Sequence, residues 1–114
     1  MTLKVLLRLI KTVSDIYAKR FNINRDEIWY LAKLQEELGE LTAAHMKASR
    51  RGRAGAATPT ELHTQKEDEA ADLLAHLLLY ADRNNLDLEK GIRRKWMAHL
   101  PTQSKSAQAM EQHN

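Results

Sequence analysis

At 114 residues the chain has room for one domain with a modest core and too little for two independent ones. It contains no cysteine, which excludes disulfide frameworks, thiolate metal sites and cysteine nucleophiles, fits a reducing compartment, and leaves carboxylates, histidine, lysine and water for any chemistry. A formal charge of +3 suits anionic ligands but falls short of the basic footprint of a dedicated nucleic-acid binder.

Leu3, Leu6, Leu7, Ile10, Val13 and Tyr17 recur at helical spacing, so the first element is an amphipathic helix ending near Arg20. Lys4, Arg8 and Lys11 interrupt its apolar run, which rules out a continuous signal-peptide core. After the turn at Phe21 to Asn24, either Asn24 or Asp26 caps a second helix with the stripe Leu31, Leu34, Leu38, Leu41, His45 and Ala48. Residues 50–60 (RRGRAGAATPT) lose all periodicity and form a basic, flexible loop.

A third helix starts at Thr60 before Glu61, or at Thr64 with Glu67 three residues on, and stops at Asn84-Asn85. Asp87 caps a fourth, from Leu88 to about His99, ended by Pro101. The fold class expected is all-α, a bundle of about four helices in one domain over residues 1–101, followed by a polar, disordered tail over 102–114. The most apolar stretch, Ala70 to Ala81, contains Asp72 and His76 and is far shorter than the roughly 20 residues of a membrane span. A soluble, cytoplasmic protein with no membrane partner is expected.

The third helix carries Ala70, Ala71, Leu73, Leu74, Leu77, Leu78 and Leu79 on more than one face. Such a helix needs cover nearly all round, so a homodimer or homotetramer with long helices packed between subunits is expected. The alternative is a monomer in which the first helix supplies that cover.

Glu37 and Glu40 lie three residues apart on the second helix, with Glu36 four from Glu40; Glu69 and Asp72 repeat the device on the third, with Asp68 four from Asp72. Acidic residues on helices usually face solvent with cations interspersed. Here Glu40 and Asp72 have no lysine or arginine at the neighbouring positions, Asp72 having only His76, and like charges at this spacing cost about 0.2–0.5 kcal/mol per pair. Both pairs flank the apolar stripes. If the two helices pack antiparallel, Glu37, Glu40, Glu69 and Asp72 converge into an all-oxygen cluster suited to Mg²⁺ or Mn²⁺. Mg²⁺ held by carboxylates and water commonly completes its shell with substrate phosphates, which points to a phosphoanhydride substrate.

These residues resemble the all-α nucleoside triphosphate pyrophosphatases: MazG, the dimeric dUTPases, the dCTP pyrophosphatases and phosphoribosyl-ATP pyrophosphohydrolase. Their EExxE and ExxD motif is matched by Glu36, Glu37 and Glu40, then by Glu69 and Asp72, within a resemblance from about Trp29 to Trp96. The resemblance implies hydrolysis of a (d)NTP between the α and β phosphates. It further implies Glu37, Glu40, Glu69 and Asp72 as Mg²⁺ ligands, with Glu36 as an outer, water-orienting carboxylate. Family members often place a Lys and a following Asn or Arg near the end of the last helix; here Arg93-Arg94-Lys95 is followed by Trp96-Met97-Ala98-His99, so Lys95, with Arg94, is the expected phosphate contact and the Asn is replaced.

Trp29 and Lys33 precede the acidic motif, where an aromatic ring can stack on a base and an ammonium can reach phosphate, although Trp29 also suits plain core packing. His45 and His76 invite a zinc reading, but without cysteine or a compact histidine pair they read better as packing residues. Two rivals remain: a non-enzymatic helical module whose Arg50, Arg51, Arg53 and Arg93 to Lys95 bind RNA or an acidic partner, and a purely structural oligomeric bundle.

Overall fold

The computed structural model describes residues 1–49 and 54–101. Among them the chain is all-α, with four helices, one 3-10 turn and no strand: α1 (Leu3–Arg20), α2 (Glu27–Ala48), α3 (Pro59–Arg83), α4 (Leu88–Lys95) and the turn Met97–His99. The helical fold class expected from periodicity is the one observed. Arg50, Arg51 and Arg53, and the tail over 102–114, lie outside the described residues.

Each helix starts on a side chain that accepts a hydrogen bond from an otherwise unpaired amide. Thr2 caps α1 by accepting from Val5 N, Asp26 caps α2 by accepting from Trp29 N at 2.8 Å, and Asp87 caps α4 by accepting from Lys90 N. Asp26, not Asn24, therefore sets the start of α2. The α1 stop is a Schellman arrangement: Asn22 takes φ 51° and Ile23 N–H donates to Ala18 O at 2.9 Å.

Two boundaries differ from expectation. The third helix begins earlier, at Pro59, capped by Thr58. Glu61 N–H donates to Thr58 Oγ1 at 3.1 Å, and the Thr58 hydroxyl returns a bond to Glu61 Oε1 at 3.2 Å. Pro59 occupies the first helical position, where its missing N–H costs nothing and its fixed φ is already helical. The last α-helix is shorter than expected, giving way after Lys95 to the 3-10 turn Met97–His99; Leu100 is extended because it precedes Pro101.

The chain divides into two compact units, Met1–Asn84 and Asn85 onward. In the first, α2 and α3 form the main pair and α1 packs on α3. Their direction is antiparallel: Ala48 and Leu62 line one hollow near the connecting loop, whereas Trp29 meets His76 far from it. Lys11 of α1 pairs with Asp82 of α3 at 3.1 Å, and Arg25 ties the α1–α2 turn to Asp15 and Ser14 at 2.9 Å each.

The buried apolar residues among those described are Ala44, Leu62, Leu78, Leu79 and Ala81, and α1 contributes none. On α3 the cover is one-sided. Leu78 and Leu79 are buried, yet Leu74 stays 46% exposed and Leu77 38%, so α1 leaves part of α3 uncovered within one chain. No helix of the described residues is long and apolar enough to cross a membrane.

In the second unit, α4 carries Arg93 against Glu89 at 2.9 Å, and a groove of about 520 Å³ is lined by residues including Leu86, Arg94, Lys95 and Trp96.

Candidate metal centre

The antiparallel packing of α2 and α3 decides where the acidic pairs go. Glu37 and Glu40 lie on the α2 face turned to α3, and Glu69 and Asp72 face them. One carboxylate oxygen from each of the four lies within 4.8 Å of every other. The expected convergence of these side chains is therefore present.

Their environments are unequal. Glu37 is buried, at 6% exposure, Glu69 is half-buried, and Glu40 and Asp72 reach the surface. Glu37 Oε2 and Glu69 Oε2 are buried without a hydrogen-bond partner. A buried, unpaired carboxylate oxygen is costly, because burial removes water and supplies nothing in its place. Glu37 Oε1 is approached from outside the cluster by Lys33 Nζ at 3.5 Å and His76 Nε2 at 3.7 Å.

Titration follows the same geometry. Burial, then the charge of Glu40, raises the Glu37 carboxyl above its ordinary value, against the opposing pull of Lys33. Glu69 is also raised, by desolvation and then by Glu40. His76 is lowered by burial and by Lys33, which keeps its ring neutral at neutral pH. Lys33 is raised overall: burial opposes the shift, and the bond and charge of Glu36, with Glu37, outweigh it.

Four carboxylates without nitrogen or sulfur, two of them presenting unpaired buried oxygens, form a donor set suited to a hard divalent cation. An ion there would supply the partner that Glu37 Oε2 and Glu69 Oε2 lack. The fit to Mg²⁺ or Mn²⁺ rests on those orphaned oxygens as well as on the number of charges.

The remaining candidates are placed as follows. Glu36 is not one of the four converging carboxylates; its Oε2 accepts from Lys33 Nζ at 3.1 Å, and the same ammonium lies 3.5 Å from Glu37 Oε1. Trp29 packs edge-on against Tyr30 and His76 and lines a cavity of about 500 Å³ with Tyr17, Lys33, Asp72 and His76. Arg94 and Lys95 are exposed and belong to the second unit. His45 is exposed, and neither histidine joins the four-residue group.

The approach of His76 to Glu37 was not anticipated from sequence. His76 falls one turn after Asp72, but its partner lies on another helix and depends on interhelical register. Of the cavity walls, Tyr17 reads from sequence as part of an apolar stripe and Phe21 as part of a turn.

No family model matches the chain, and no curated protein or solved structure is detectably similar to it. The architecture, a small all-α chain with no sheet among the described residues, agrees in general terms with a MazG-like fold.

Proposed function

We propose that the chain is a Mg²⁺-dependent nucleotide pyrophosphohydrolase, cleaving a (d)NTP between the α and β phosphates to a monophosphate and pyrophosphate, with Mn²⁺ as a substitute ion. The observation that carries this reading is the meeting of Glu37, Glu40, Glu69 and Asp72 within 4.8 Å, together with two buried oxygens that have no partner.

Mg²⁺ held by these four side chains would supply positive charge to the phosphate oxygens and make water more acidic. The chain's own groups then have separable tasks. Glu36, joined to Glu37 through Lys33, orients the attacking water. Trp29 offers a ring edge in the adjoining cavity, where a base can pack. The resemblance assigns Lys95 and Arg94 to phosphate, whereas Arg93 is already engaged by Glu89. The uncovered leucines of α2 and α3 support a homodimer or homotetramer, and the composition supports a cytoplasmic setting.

The test is a screen of the common NTPs and dNTPs with Mg²⁺, identifying both products, alongside Glu40→Gln. At least one nucleotide should yield monophosphate and pyrophosphate, and the variant should be inactive. Absence of cleavage with any divalent ion, full activity in the variant, or release of diphosphate and orthophosphate would each contradict the proposal.

A further inference from the structure

Lys33 stands one turn before Glu37 on α2, with Nζ 3.1 Å from Glu36 Oε2 and 3.5 Å from Glu37 Oε1. Its side chain is 22% exposed, so the ammonium is partly withdrawn from water. The two oxygens of Glu37 are thereby divided. Oε1 faces Lys33 and His76, Oε2 is buried without a hydrogen-bond partner, and one oxygen of this carboxylate joins the group formed with Glu40, Glu69 and Asp72.

We propose that Lys33 is a built-in counter-ion of the carboxylate cluster, which offsets its repulsion when no metal is bound and weakens its affinity for a divalent cation. This rests on the reading of the four carboxylates as a metal centre. An ammonium has three donors and no acceptor, and here two carboxylates already claim it. A phosphate would have to draw it away from both.

Two opposing effects follow from removing that charge. Loss of a positioning contact would weaken metal binding, whereas loss of a fixed positive charge would strengthen it. The second should dominate, because Glu37 is only 6% exposed and packing already restrains its side chain. The charge of Lys33 acts on an incoming cation across a few ångströms of partly desolvated protein, where screening is weak. In consequence the ion alone binds loosely, and substrate phosphates complete its hold.

The experiment is calorimetric titration of Mn²⁺ into the metal-free full chain, without nucleotide, for the wild type, Lys33→Met, Lys33→Gln and Lys33→Arg. Mn²⁺ should bind the Met and Gln variants more tightly, by a factor on the order of ten, and the Arg variant much as it binds the wild type. Melting without metal should be lower for Lys33→Met, and its gain on adding Mn²⁺ larger. Should the Met variant fail to fold, the Gln variant gives the same reading.

Equal or weaker Mn²⁺ binding by the Met and Gln variants overturns the counter-ion role while leaving the metal centre standing. Unchanged Mn²⁺ affinity with a raised KM for nucleotide would make Lys33 a phosphate ligand instead. A wild type that binds no Mn²⁺ removes the metal centre itself, and this inference with it.

Discussion

Glu37 combines burial with an unpaired oxygen, and the sign of its titration follows. Its raised carboxyl, like that of Glu69, means that the metal-free folded state holds protons the unfolded chain has released. The resulting stabilisation is complete below the unfolded value of about 4.3 and is lost as pH rises through the raised folded values. Melts in chelator should therefore show the wild type losing stability relative to Glu37→Gln over that interval, since the variant has no charge to bury there. Parallel pH profiles would count against a carboxyl raised by burial and by Glu40. With Mg²⁺ present the order reverses, because only the wild type gains from the ion. In turnover, Glu37→Gln and Asp72→Asn should each lower kcat/KM by about 10²–10³, as expected when several kcal/mol of charge stabilisation are lost. Steady-state pyrophosphate release measures this directly.

At the scale of elements, the site depends on two long helices held in register, and the ends of those helices are separate from the chemistry. Thr58→Ala removes the hydroxyl that makes both capping bonds with Glu61 at the start of α3 and should cost about 1 kcal/mol by urea denaturation, with Mn²⁺ affinity unchanged. A large loss of affinity would mean that the α3 start positions the carboxylates. The acidic pairs were legible in the sequence because a three-residue spacing fixes a helix face whatever the helix packs against. Their meeting follows from the antiparallel packing of α2 and α3. The start of α3 was less legible: Thr58, Thr60 and Thr64 all precede acidic residues, and Pro59 reads as loop until its place at the first helical position is known. The shorter α4 gives way to a 3-10 turn, a change of helix type that periodicity does not register. His76 was legible as a packing residue and not as a neighbour of Glu37, because contacts across helices depend on rotation and register.

For the whole molecule, five buried apolar residues among those described make a small core, while Leu38 at 54% and Leu74 at 46% remain exposed. A lone surface leucine needs no explanation, but exposed apolar residues on all three long helices fit a surface covered by another copy. Light scattering on the eluted protein should give at least twice the 13.1 kDa of one chain. Leu74→Glu should reduce that mass, whereas in a true monomer a substitution at so exposed a site should change stability by no more than about 0.5 kcal/mol. A monomeric wild type would leave the amphipathic faces without the proposed cover.

Diffraction from a crystal soaked in Mn²⁺, recorded for its anomalous signal, bears most directly on the metal centre. A single strong peak per chain should lie at coordinating distance from oxygens of Glu37, Glu40, Glu69 and Asp72, and vanish in Glu37→Gln. No peak at that position, with these carboxylates turned outward to water, would contradict the account.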